Sequence, residues 1–201
     1  YGYYCVELST IIVKNQNNTI DLEYNFNLGE IAKIKKIKFI GNKIFKDKTL
    51  RNIIISEEAK FWKFITRNKF LDTNRINADV QRLNNYYNNK GYYNVKIKST
   101  TAVITEGNQF ELIFNIDAGN KYYFDEIKFV DSKTIPADDL MLFEKKMNSL
   151  KGEKFSRKKI NSLISEINDF TLRNDFIFIN ANFKEIIKDK NKIDIIINFD
   201  D

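Results

Sequence analysis

Histidine is absent from the 201 residues, and Cys5 is the only thiol. A nucleophile paired with an imidazole, a Cys/His zinc set and an internal disulfide framework therefore have nothing to be built from. Glu57 and Glu58, and Asp138 and Asp139, are neighbours along the chain. An acid-base pair needs carboxylates converging across a cleft, so these are read as solvated faces and helix starts. Neither phosphate-cradling pattern, GxxxxGK[ST] or GxGxxG, occurs. The residues predict no enzyme, no cofactor and no metal.

One stretch could bind a partner: Lys90, Gly91, Tyr92, Tyr93, Asn94, Val95, Lys96 and Ile97. It matches the basic residue, glycine, first aromatic and valine of the RRM motif, which would make a single-stranded nucleic-acid module. Asn94 and Ile97 stand where further aromatics belong, so the base platform is incomplete. Net charge decides little here: 33 basic against 27 acidic residues give +6, which drift toward Lys and Asn produces without any polyanion ligand. The expectation is no nucleic acid. Asn17, Asn18 and Thr19 form a sequon expected by chance in so Asn-rich a chain.

The elements around that stretch repeat. Tyr4, Val6 and Leu8, then Ile20, Leu22, Tyr24, Phe26 and Leu28, alternate on either side of an Asn-rich turn and predict a β-hairpin with one buried face. A hairpin alone is marginal in water, so this unit reads as truncated at its front, within a longer protein. Ile34, Ile37 and Phe39 predict a strand ending at Gly41 and Asn42, and Asp47 a cap for a short helix carrying Leu50, Ile53 and Ile54. Asp72 or Thr73 caps a longer helix with the stripe Ile76, Val80, Leu83 and Tyr87, which Gly91 ends. Tyr93, Val95 and Ile97 then predict a strand, paired with Phe110, Leu112, Phe114 and Ile116.

Gly119 follows Gly29 by 119 − 29 = 90 residues, and Ile127 and Phe129 follow Ile37 and Phe39 by the same interval. The unit restarts in register. Pro136 opens a helix bearing Leu140, Phe143 and Met147, Ser156 caps one bearing Ile160, Leu163, Ile164 and Ile167, and Ile177 to Phe183 pairs with Ile193 to Phe199. Each unit therefore reads β-α-α-β-β: an α+β fold in which two helices cover one face of a three-stranded mixed sheet. Such a sheet has two edges, and unpaired edges are templates for another strand.

These residues resemble POTRA domains, the polypeptide-transport-associated repeats of BamA-type outer-membrane assembly proteins. The resemblance rests on the junction Ile37 to Phe45, on Asp79, Leu83, Tyr86, Tyr87, Lys90, Gly91 and Tyr92, and on a tryptophan-bearing insert between the helices at Phe61 to Asn68. It covers nearly the whole chain: 1–29 as the last hairpin of one domain, 32–119 and 121–201 as complete tandem repeats. Leu28 and Ala118 replace the acidic residue before the closing glycine, Asp131 and Ser132 replace the Gly-Asn pair, and Asp175 stands where glycine would. These departures bear on the turns of the last unit, where a non-glycine residue at positive φ is uncommon.

The resemblance implies a periplasmic portion of an integral outer-membrane protein, whose partners are unfolded barrel precursors, accessory lipoproteins and a periplasmic chaperone, with membrane contact through a C-terminal barrel outside this chain. A compatible edge is 92–101, with Tyr92, Asn94, Lys96 and Lys98 outward. The same lysines also read as charges that protect an edge from pairing. Phe61, Trp62 and Phe64 read as an accessory-protein contact or as aromatics closing their own domain's core. POTRA regions of other translocation or division proteins share the pattern.

Overall fold

A computed structural model describes residues 3–4, 6–60, 66–130, 135–176 and 178–200. The chain order is β1 (Tyr3–Tyr4), β2 (Glu7–Lys14), β3 (Ile20–Asn27), β4 (Glu30–Ile31), β5 (Lys33–Asn42), α1 (Asp47–Arg51), α2 (Thr73–Asn88), β6 (Lys96–Thr105), β7 (Gln109–Asp117), β8 (Tyr123–Phe129), α3 (Ala137–Leu150), α4 (Arg157–Arg173), β9 (Asn180–Lys188) and β10 (Lys192–Asp200). Two compact units result: residues 1–83 with 97–116, and residues 84–96 with 117–201.

In the first unit β7 lies between β5 and β6. Strict alternation along β7 buries Phe110, Leu112, Phe114 and Ile116, and Phe39 of β5 stacks on Phe114 at 5.5 Å. Ile34, Ile37, Leu50, Ile54 and Leu83 complete this core. Four buried apolar side chains on one strand, at about 2 kcal/mol each, explain why the central strand fixes the register. Gly41, at φ +83, ends the first strand where an added Cβ would stand 2.5 Å from the Ile116 carbonyl oxygen. Only glycine fits both the torsion and the space.

The second unit repeats the plan, with β10 between β8 and β9. β10 runs parallel to β8 and antiparallel to β9, so the sheet is mixed. Ile193, Ile195 and Ile197 are fully buried with Phe124, Phe155, Ile160, Leu163 and Ile167. Helix starts follow the expected side chains: Asp72 accepts from the Arg75 N–H at 2.8 Å and Ser156 accepts from Lys159. Asp47 is instead the first residue of α1 and pairs with Lys43, leaving α1 without a side-chain cap. Asp175 adopts φ +63, the torsion a glycine would have supplied.

The front hairpin departs from expectation. β2 and β3 pair in register from Glu7↔Asn27 to Lys14↔Ile20, but both strands are exposed throughout. Leu8, Ile12, Leu22 and Phe26 share one uncovered face. Alternation marks which side is apolar; burial also requires an element to lie against it.

Asp79 is fully buried in α2, and its carboxylate accepts from the backbone N–H groups of Ile55 and Ser56. It thereby holds the chain leaving α1. Asp79→Ala strands two donors and is expected to cost about 2–3 kcal/mol, whereas Asp79→Asn keeps an acceptor and costs less. Urea midpoints of the two variants check this order.

Candidate functional site

An outer strand presents a row of backbone N–H and C=O groups that must be paired or solvated. In the first unit the outer row of β5 is already paired. The Ile34 N–H donates to the Lys69 carbonyl at 2.8 Å, the Ile34 carbonyl accepts from Ala59 at 2.7 Å, and the Ala32 carbonyl accepts from Leu71 at 3.0 Å. Farther along, the Ile37 N–H donates to the Glu58 carboxylate and its carbonyl accepts from Arg51. The connection between α1 and α2 thus seals this side. β6 has β7 as its one strand neighbour among the described residues.

The second unit is sealed on the same side. The Phe124 N–H donates to Glu153, the Phe124 carbonyl accepts from Gly152, and the Phe155 N–H donates to the Tyr122 carbonyl, each at 2.9 Å. These groups belong to the connection between α3 and α4, which lies along β8. β9, like β6, has one strand neighbour among the described residues.

The four edge residues read from sequence divide between two settings. Lys96 and Lys98 lie in β6, with both side chains exposed. Tyr92 and Asn94 precede it. Gly91, at φ +97, turns the chain after α2, the Tyr92 N–H donates back to the Tyr87 carbonyl, and Val95 donates to Tyr92, so the strand expected from Tyr93 begins three residues later. Tyr92 packs edge-on against Tyr87 with the Lys121 ammonium over its ring, and Asn94 donates to the Tyr122 hydroxyl at 2.8 Å. The RRM-like residues 91–95 are therefore a turn and offer no strand platform for bases. Phe61, Trp62 and Phe64 lie outside the described residues.

Tyr93 has the most elaborate setting. Its ring meets Phe155 at 5.0 Å in a T-shaped pair and Tyr122 at 5.6 Å, and its hydroxyl donates to Glu185 at 2.8 Å. Arg157 donates to the same carboxylate oxygen at 2.9 Å. Asn89 accepts from the Lys158 N–H and the Ser156 hydroxyl, adding to the start of α4. Sequence reasoning missed Glu185, Arg157 and Asn89, because local pattern carries no signal for partners 92, 28 and 69 residues apart. The arrangement positions a turn and an edge. Among the described residues no group of three His, Cys, Asp or Glu could hold a metal.

Burial, then the Glu185 carboxylate, raise the Tyr93 phenol above its ordinary 10.0. A phenol raised on folding contributes stability that is complete below its unfolded value and lost as pH climbs through the folded one. Tyr93→Phe is therefore expected to show a smaller alkaline loss than the parent, measured by denaturant titration near about pH 9 and about pH 11.

The POTRA family model, described as a surface antigen variable number repeat, matches residues 32–119. The chain is 22% identical over 164 residues to the outer membrane protein assembly factor BamA of Neisseria meningitidis serogroup B, covering 81% of this chain and 20% of that protein. It is 24% identical over 167 residues to BamA of Buchnera aphidicola from Acyrthosiphon pisum, covering 82% and 26%. It thus spans about a fifth to a quarter of these relatives' length. Among solved structures, Haemophilus influenzae BamA POTRA3-5 shares the fold at a TM-score of 0.58 and 14% identity, over 100% of this chain and 74% of that one. No helix among the described residues is long and apolar enough to cross a membrane, which says nothing of a β-barrel.

Proposed function

Residues 32–119 are a POTRA domain and the chain is of the BamA POTRA type; on that premise we propose that it receives unfolded β-barrel precursors by adding their strands to the open edge of β6. POTRA domains of this type are periplasmic parts of an outer-membrane assembly factor, and the fold's role is binding rather than catalysis. The observation that carries the reading is the asymmetry of the first unit's sheet: the β5 side is closed by Lys69, Ala59 and Leu71, and among the described residues β6 has a strand partner on one side only.

A barrel strand is extended and alternating, and backbone pairing at an edge accepts that form while reading little of its sequence. Lys96 and Lys98 keep such an edge from pairing with copies of itself. Tyr92 and Asn94 fix where the strand begins, which makes them positioning residues in this reading. Phe61, Trp62 and Phe64 form the proposed contact for accessory lipoproteins of the assembly complex. The proposed boundaries are a partial unit at 1–29 and complete units at 32–119 and 121–201.

Proline placed at Lys98 or at Ser99, one variant at a time, tests the edge. Strand alternation points one of these two N–H groups toward β7 and the other outward. The outward variant keeps the fold and loses about tenfold affinity for a barrel-strand peptide, roughly 1.4 kcal/mol. Calorimetric affinity unchanged in both variants would sink the proposal.

A further inference from the structure

The second compact unit holds a cavity of about 510 Å³ whose wall is net positive. Lys90, Lys154 and Lys159 line it together with Glu153, Asn89 and Tyr123, all within residues 84–96 and 117–201. The one carboxylate is already taken, because Lys159 donates to Glu153. Lys90 and Lys154 have no carboxylate partner among the described residues. The Lys90 ammonium lies over the Tyr86 ring, which leaves its N–H donors unused.

The backbone brings these groups to one place. Tyr123 and Lys154 face each other in an antiparallel bridge, flanked by the Phe124 N–H on the Glu153 carbonyl and the Phe155 N–H on the Tyr122 carbonyl. Side chains opposite in such a pair share a face, so the Tyr123 ring stands beside the Lys154 stem. The turn after α2 closes on the same segment. The Gly91 carbonyl accepts from the Tyr122 N–H at 2.7 Å, and a Cβ added to Gly91 would stand 3.2 Å from the Lys154 Cβ. Lys90 and Lys154 thus enter the cavity from two segments whose separation is fixed by the backbone.

Asn89 adds an oriented donor. The Lys158 N–H can only donate, so at 2.9 Å it holds the Asn89 side-chain oxygen on the start of α4, where the Ser156 hydroxyl donates to it too. The amino group of that amide has no hydrogen-bond partner among the described residues. The first turn of α4 is itself capped by Asn89 and Ser156 and plays no further part. Three lysines against one glutamate leave two positive charges, which repel until an anion sits between them. A phosphate monoester carries close to two negative charges and several acceptor oxygens, a match that a single carboxylate lacks. The cavity is also larger than one phosphate needs, so the anion is carried on a body that the exposed Tyr123 can touch.

We propose that this cavity binds a phosphate monoester on a small polar body, with the phosphate between Lys90 and Lys154, the Asn89 amino group donating to a phosphate oxygen and the body against Tyr123. The site is separate from β6 and independent of the precursor-docking reading.

The test is amide NMR of the isotope-labelled chain titrated with glycerol 3-phosphate, with glycerol as the uncharged control and sodium chloride holding ionic strength constant. The expected result is saturable shifts at Gly152, Lys154 and the Asn89 side-chain amide, and none with glycerol. Lys90→Gln and Lys154→Gln should each weaken binding at least about fivefold. Lys184→Gln, which removes the same charge from an exposed lysine of β9, should leave it unchanged. A second arm follows cosedimentation with vesicles of phosphatidylcholine and phosphatidic acid at about four to one. Retention that both cavity substitutions abolish identifies a lipid head group as the source of the monoester; glycerol 3-phosphate binding without retention identifies a soluble one. Shifts with glycerol, equal weakening by Lys184→Gln, or no binding in either arm that depends on Lys90 and Lys154 would each overturn the site.

Discussion

The outer hydrogen-bonding row of each sheet is the constraint on which this structure turns. A three-stranded sheet has two such rows, and a small domain must pair or solvate both. Here the chain resolves one of them itself: the segment between the two helices of each unit runs beside the first strand and donates to, or accepts from, Ile34 in one unit and Phe124 in the other. Each bond contributes about 1 kcal/mol net, but leaving the same groups buried and unpaired would cost more, so closure is specific to that side.

The other row stays open because of the order of elements. In β-α-α-β-β the two hairpin strands are consecutive, the last strand takes the centre, and the penultimate strand lies outside it, with one strand neighbour among the described residues. That strand is β6 in one unit and β9 in the other. The repeat therefore reproduces an edge along with a fold. The two edges are not chemically alike: β6 carries Lys96 and Lys98 near its start, whereas β9 sets exposed Ile186 and Ile187 beside Lys184, with both backbone groups of Ala181 held by the Asn168 side chain.

Much of this was legible in the residues. The ninety-residue interval from Gly29 to Gly119 marks equivalent positions, and both adopt φ +64. Alternation in β7 and the caps Asp72 and Ser156 are local signals, and each did what its chemistry predicts. The start of β6 was not legible, because Tyr93 fits an alternating strand as well as it fits a T-shaped pair with Phe155. Nor was the closure of β5 and β8, which is made mainly by backbone groups, with Glu58 and Arg51 adding side-chain bonds at Ile37, and so leaves little trace in side-chain type. The exposed face of the front hairpin shows the same limit, since alternation names an apolar side without naming what covers it.

Amide hydrogen exchange resolved by residue measures the difference between closed and open edges directly. Ala181 meets Asn168 on the side away from β10, so antiparallel alternation over an unshifted register turns the amides of Phe183, Glu185 and Ile187 outward too. The closed-edge amides of Ile34 and Phe124 should exchange slowly, with the cores they border, while the outward amides of Phe183, Glu185 and Ile187 should exchange faster by about a hundredfold or more. Equal protection of both sets would contradict the account, because it would mean that β9 is paired on its outer side, or that β5 and β8 are not.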